Sequence, residues 1–167
     1  MAYEEHKHAS PSQVTTGVLV ISDSRTTASD ESGRLICRLL EENGHKIAGF
    51  ELLKNEASAI RQAFSSLLSV PEVKIVIASG GTGLSRRDIT VETITPLLNK
   101  KLDGFGELFR SLSYHEIGSG CIMSRALAGT IDGKVIICLP GSLKAVKLAM
   151  EQIILPEIGH LVREASR

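Results

Sequence analysis

The sequence predicts an α/β domain in which helices cover both faces of a mainly parallel sheet. Two observations point there: short apolar, β-branched runs with no helical period, and stretches of helical period that alternate with them. Residues 16–22, with Val18, Leu19, Val20 and Ile21, suit a strand buried on both faces, and the run ends in Ser22-Asp23-Ser24. Leu35, Ile36, Leu39 and Leu40 then recur with helical spacing, and Gly44 marks the stop of this first helix. Residues 45–53 read as the second strand, and Ile60, Phe64, Leu67 and Leu68 stripe a second helix that Pro71 ends. Residues 73–78, with Val73, Ile75, Val76 and Ile77, form the clearest buried strand and run straight into Ser79-Gly80-Gly81-Thr82-Gly83. A helix is expected over 91–98, interrupted by Pro96, and another over 105–116. A further strand over 135–139 ends at Pro140-Gly141-Ser142, and Leu143, Val146, Met150 and Ile154 mark a long final helix.

The chain has 167 residues, enough for one core that buries roughly two thirds of the unfolded surface. Residues 1–13 are polar and lack an apolar signal core, so they read as a flexible tail ahead of a single domain over 14–167. No repeat, low-complexity stretch or linker divides that domain. With 43% hydrophobic and 23% charged residues, the composition is too apolar for a disordered chain, and no run is long enough for a membrane span. Lys plus Arg and Asp plus Glu both number 19, so no net field attracts nucleic acid or an anionic membrane. Aromatic residues make up 4% and Trp is absent, which leaves no stacking platform for single strands. Cys37, Cys121 and Cys138 are far apart with no Cys-x-x-Cys pair, so neither a disulfide framework nor a zinc knuckle is implied, and a reducing cytoplasm fits. Only His6 and His8 stand at a ligand-like spacing, in the tail, and the five histidines receive no function.

The candidate chemistry lies at the carboxyl ends of the strands, where open α/β sheets bind ligands. The glycines of Ser79-Gly80-Gly81-Thr82-Gly83 accept positive φ and allow several backbone N–H groups to converge on one phosphate, although a plain strand-to-helix turn has the same composition. The loop matches neither the dinucleotide fingerprint nor the Walker A pattern. Arg86-Arg87-Asp88 follows and can hold phosphate and a hydrated magnesium ion together; alternatively Asp88 caps the helix that starts near Thr90 and the arginines are solvated. Asp23 and Ser142 reach the same edge, Asp23 either to orient a ligand or metal or to close an Asx-turn.

Taken in order, Ser79-Gly80-Gly81-Thr82-Gly83, Arg87-Asp88-Ile89-Thr90, Gly104-Phe105-Gly106-Glu107-Leu108-Phe109-Arg110, Ser124-Arg125-Ala126 and Pro140-Gly141-Ser142 resemble the molybdenum cofactor biosynthesis family that includes MoaB and the molybdopterin adenylyltransferases. The likeness runs from Val18 to the last helix and is greatest to the MoaB branch, through the residues from Phe109 to Gly118. It implies a three-layer α/β/α sandwich assembled as a homotrimer, or as a homohexamer in the MoaB branch. It also implies the reaction: the terminal phosphate of molybdopterin attacks the α-phosphate of ATP with Mg2+ present, giving adenylylated molybdopterin and pyrophosphate. By position, Ser79, Gly80, Gly81, Thr82 and Gly83 would cradle phosphate, Asp88 would hold magnesium, Ser142 would contact the phosphate end of the pterin, and Asp23 and Asp30 would shape the nucleotide side. Such transfers depend on alignment and charge neutralisation, which a nest, magnesium and Arg87 would supply.

One departure bears on activity. The adenylyltransferases carry a Pro-Asp pair after the second strand, its aspartate on magnesium, whereas this chain has Leu53-Lys54-Asn55-Glu56. Asn55 offers an amide oxygen without charge, and Glu56 is shifted by one residue. Three readings follow: a molybdopterin adenylyltransferase, a molybdopterin-binding carrier or assembly partner with little catalysis, and an unrelated phosphate- or nucleotide-binding α/β protein.

Overall fold

A computed structural model describes residues 8–167. The apolar runs become strands because each must bury both faces. In β1 (Thr15–Ile21) Val18 faces one side of the sheet and Leu19 the other; in β3 (Val73–Ser79) the same holds for Ile77 and Val76, and in β6 (Lys134–Leu139) for Ile137 and Ile136. With β2 (Lys46–Leu53), β4 (Lys100–Lys101) and β5 (Leu127–Ile131), they form one six-stranded sheet of order β2-β1-β3-β6-β5-β4. The pairs β1/β2, β1/β3 and β3/β6 are parallel, with Val18 opposite Phe50 and Ile77, and Ile77 opposite Ile137.

Helices close both faces. On one, α1 (Glu31–Glu42), α4 (Asp103–Ile117), α5 (Leu143–Ala149) and α6 (Leu155–Ala165) bury Leu35, Ile36, Phe105, Phe109, Val146 and Ile158 with Val18, Ile77 and Ile137. On the other, α2 (Ala57–Ser69) and the short α3 (Thr90–Ile94) bury Ile60, Phe64 and Ile94 with Leu19, Val76 and Ile136. This is the expected α/β/α arrangement. The free cysteines act as small apolar groups: Cys138 lies wholly inside β6, where burial pushes its thiol up to about 12.

The structure adds two strands to the expected alternation. β5 and β6 form an antiparallel hairpin across Asp132 (φ 47°) and Gly133 (φ 76°), the left-handed pair that a tight hairpin turn demands. β4 then pairs antiparallel with β5 and gives this edge only two residues, both lysines. The expected long final helix is interrupted by a π turn over Met150–Ile154 just before Pro156, whose missing N–H cannot continue the α ladder. Helix 91–98 shortens to α3 plus a 3₁₀ turn at Thr95–Leu97 that contains Pro96.

The first seven residues of the expected 1–13 tail, with His6, lie outside the described residues. Of the rest, Pro11 places its carbonyl against Gly159 in α6, and the Gln13 amide donates to the Gly44 carbonyl at 2.9 Å. No helix among the described residues is long and apolar enough to cross a membrane.

Candidate functional site

β1 pairs with β2 on one side and β3 on the other, so the strand order reverses between β1 and β3. The crevice outside the carboxyl ends at such a reversal is where open α/β sheets take ligands. A cleft of about 580 Å³ opens there, within the usual range for small-molecule sites. Loops after β1, β2, β3 and β6 form one side, and Phe109, Ser113 and Ile117 of α4 with Cys121 and Met123 of the following turn form the other.

The glycine loop is built by contacts within the protein. Gly80 (φ 105°) packs so closely on the Ile21 carbonyl, and Gly81 (φ 66°) on the Thr90 hydroxyl and the Asn55 amide oxygen, that neither position has room for a Cβ. Thr90 is fully buried and pins both residues: its hydroxyl donates to the Gly80 carbonyl at 2.9 Å and its N–H to the Gly81 carbonyl at 2.9 Å. Arg125 holds the next stretch, donating to the carbonyls of Thr82 (3.0 Å), Gly83 (2.6 Å) and Asp88 (3.3 Å). The backbone N–H groups of Gly81, Thr82, Gly83 and Leu84 donate to no protein acceptor among the described residues. Gly80 to Gly83 line the cleft, so the loop brings unpaired backbone donors to it, as an anion nest does.

Asp88 lines the cleft half-buried, and its Oδ2 accepts the Ser85 N–H at 3.0 Å, closing the turn that carries Arg86 and Arg87. It does not cap α3; the residue before that helix is Ile89, with no side-chain cap. Asp23 is no Asx-turn either. Its Oδ2 accepts from Arg87 Nε at 2.9 Å, its Oδ1 from the Asn55 N–H at 3.0 Å, and its carbonyl from Lys54 Nζ at 2.7 Å, so one residue ties together the loops after β1, β2 and β3. The Arg87 hydrogen bond, reinforced by the Asn55 N–H, holds the Asp23 carboxyl down at about 2. The turn after β1 is closed instead by Ser22, whose hydroxyl accepts the Arg25 N–H at 3.1 Å. Asn55 lines the cleft, and its side-chain oxygen is buried with no donor among the described residues.

Ser142 lies at the cleft and caps α5, accepting the Ala145 N–H at 3.3 Å. Asp30 and Ser79 are placed behind the cleft wall. Asp30 is 1% exposed and caps α1 by accepting the Gly33 N–H at 3.0 Å; Ser79 is fully buried and donates to the Pro140 carbonyl at 3.4 Å. Asp30 reaches the cleft through Arg25, which lies 3.7 Å from its carboxylate and donates to the Gly141 carbonyl at 2.7 Å. Thr90, Arg25 and Arg125 are among the site residues that have no assigned role on sequence grounds; Thr90 and Arg125 stand inside the family-like strings, while Arg25 carries no pattern of its own. Among the described residues, no group of three or more His, Cys, Asp or Glu could enclose a metal, so a cation here would take few protein ligands and complete its shell from ligand or water.

A family model described as a probable molybdopterin binding domain matches residues 17–160. Molybdenum cofactor biosynthesis protein B of Bacillus subtilis (strain 168) is 47% identical over 165 residues, 98% of this chain and 97% of the relative. The protein of the same name from Bacillus cereus is 45% identical over 168 aligned positions, 100% of this chain and 99% of the relative. Among solved structures, a molybdenum cofactor biosynthesis protein B superposes with a TM-score of 0.89 at 46% identity, covering 93% of this chain and 97% of the other. The tungsten cofactor synthesizing protein MoaB from Pyrococcus furiosus superposes with a TM-score of 0.85 at 34% identity, covering 94% and 99%. These matches bear out the family resemblance and the fold that it implies.

Proposed function

We propose that this chain, which belongs to the molybdenum cofactor biosynthesis protein B family, binds molybdopterin and ATP in the cleft at the carboxyl edge of its sheet and transfers an adenylyl group between them. In that step an oxygen of molybdopterin's terminal phosphate bonds to the α-phosphorus of ATP, the bond from that phosphorus to the bridging oxygen breaks, and pyrophosphate leaves. The observation that carries the reading is the glycine loop: its backbone donors between Gly81 and Leu84 have no protein acceptor among the described residues and stand at the strand-order reversal.

Each neighbouring residue then has a task. The loop holds and aligns phosphate oxygens, Arg87 faces the negative charge from the Asp23 side, and Ser142 contacts the phosphate end of the pterin. The donor set fits Mg2+: the Asn55 oxygen is buried with no donor among the described residues, Asp88 adds a carboxylate on the other flank of the loop, and oxygen ligands of this kind suit a hard cation. Bound there, magnesium would neutralise charge on the transferred phosphate. Threefold assembly, as a homotrimer or homohexamer, and a cytoplasmic location complete the proposal, supported by the family, the balanced charge and the three free cysteines.

A second reading, a molybdopterin-binding carrier or assembly partner, rests on Asn55, an uncharged ligand where catalysis calls for a carboxylate. Incubation of the purified protein with molybdopterin, ATP and magnesium decides between them. Adenylylated molybdopterin with one equivalent of pyrophosphate is expected. Tight molybdopterin binding with neither product would favour the carrier, and no binding of either substrate would overturn both readings.

A further inference from the structure

Arg125 stands at the outer side of the glycine loop, and its hydrogen bonds follow from the shape of its guanidinium. A planar fork can serve several acceptors at once, and here it gathers the carbonyls of Thr82, Gly83 and Asp88 at 3.0, 2.6 and 3.3 Å. The same fork is tethered from α3 by Glu92, through its Oε1 and, at 3.2 Å, its Oε2. Arg125 lies just ahead of β5, in a different part of the sheet from the loop, so this clamp fastens the loop to the body of the fold.

A trans peptide keeps its carbonyl and the following N–H in one plane, pointing in opposite directions. With the Thr82 and Gly83 carbonyls drawn to Arg125, the N–H groups of Gly83 and Leu84 are turned away from it, and neither finds a protein acceptor among the described residues. The fork also draws positive charge against the carbonyl ends of these peptides, which polarises their N–H groups toward an anion.

We propose that Arg125 is a positioning residue that sets the anion affinity of the glycine loop, holding carbonyls outward so that the paired N–H groups stay available to phosphate oxygens. This rests on the reading of the cleft as a phosphate site. Glu92 is its orienting partner. Neither residue touches the ligand, and Arg125 acts through the peptide planes that it fixes.

Pyrophosphate with magnesium, titrated by calorimetry into wild type, Arg125→Lys and Glu92→Gln, tests the proposal, with circular dichroism and melting curves as the check of folding. Lysine keeps the charge and loses the fork. A folded Arg125→Lys protein is expected to bind pyrophosphate at least about tenfold more weakly, which a charge-only or purely stabilising role would not produce. Added methylguanidinium should restore affinity to Arg125→Ala. Wild-type affinity in folded Arg125→Lys overturns the clamp while leaving the cleft reading intact; a wild-type protein that binds neither pyrophosphate nor ATP overturns the cleft reading itself, and the clamp with it. If Arg125→Lys fails to fold, Glu92→Gln decides: a several-fold loss of affinity is expected, and unchanged affinity refutes the proposal.

Discussion

Asn55→Asp changes a carboxamide into a carboxylate of nearly equal volume and probes the cleft with almost no repacking. The Asn55 oxygen is buried beside Gly81 with no donor among the described residues, and the residue's backbone N–H is committed to Asp23. An aspartate there puts a full negative charge beside Asp23, whose carboxyl Arg87 already holds at about 2. In the absence of a cation the oxygen stays unsatisfied as in wild type, and making it part of a charged carboxylate adds a desolvation cost of about 1–3 kcal/mol. For a chain of this size each kcal/mol moves Tm by roughly 2–4 °C. A fall of roughly 2–12 °C in magnesium-free buffer at pH 7 is therefore expected.

Two controls identify the cause. Saturating magnesium should reverse the deficit, because the new carboxylate is a hard ligand and the cation binds the folded state. Lowering the pH toward about 4 should also shrink it, because burial and the neighbouring Asp23 raise the introduced carboxyl above its unfolded value, and a raised acid loses stability as pH rises. Adenylyl transfer should rise about tenfold, equivalent to roughly 1.4 kcal/mol of transition-state stabilisation. The assays are melting curves with and without magnesium and chromatography of the adenylylated product. An unchanged Tm, rate and magnesium dependence would refute the placement of Asn55 at the cation and point to Glu56 or another group.

Asp88→Ala should leave the fold intact and lower adenylyl transfer by about 10²–10³, roughly 2.7–4 kcal/mol, with molybdopterin binding better preserved in calorimetry; full turnover with the wild-type magnesium dependence would remove Asp88 from the metal. Gly81→Val should unfold or severely destabilise the protein, since its side chain meets Thr90 and Asn55 and its φ of 66° suits glycine; a melting curve like that of wild type would contradict this packing. His45 accepts the Val14 N–H on Nδ1 at 3.2 Å and burial lowers its pKa, so the unfolded chain binds the proton more tightly and stability must fall as pH drops below about 6.5. His45→Gln should flatten the fall in Tm between pH 7 and 5, and an unaltered profile would exclude His45 as its source.

How far the sequence discloses such a site depends on where each group finds its partner. Val18 to Ile21 and Val73 to Ile77 announce buried strands because both faces must be apolar, and the glycines that follow Ser79 announce an unusual backbone because other residues are excluded from it. Asp23 and Asp30 look alike from sequence, two acids after the same strand; the start of α1 separates them, since its unpaired N–H groups claim Asp30 as a cap and leave Asp23 for Arg87. Arg125 and Arg25 stay hidden because the acceptors that fix them at the cleft loops are backbone carbonyls, which every residue has, lying 37 to 43 positions away for one and 116 for the other. The hairpin of β5 and β6 is a different case: Asp132-Gly133 is a legible turn signal between two short apolar segments, but β5 spans only five residues and carries no clear alternation.

This division has a physical basis. Groups that build the cleft spend their hydrogen bonds on one another across the chain, as Thr90 does on Gly80 and Gly81 and as Asp23 does on Arg87 and Asn55. Groups at the cleft that are free to hold a ligand include those without a protein partner among the described residues, the N–H groups from Gly81 to Leu84 and the Asn55 oxygen. Donors and an acceptor left without partners side by side at the cleft are complementary to a ligand that carries both anionic oxygens and a cation. That complementarity is why Asn55→Asp, which alters the acceptor and leaves the donors untouched, separates metal binding from phosphate binding: magnesium affinity should rise while pyrophosphate affinity without magnesium should stay level or fall.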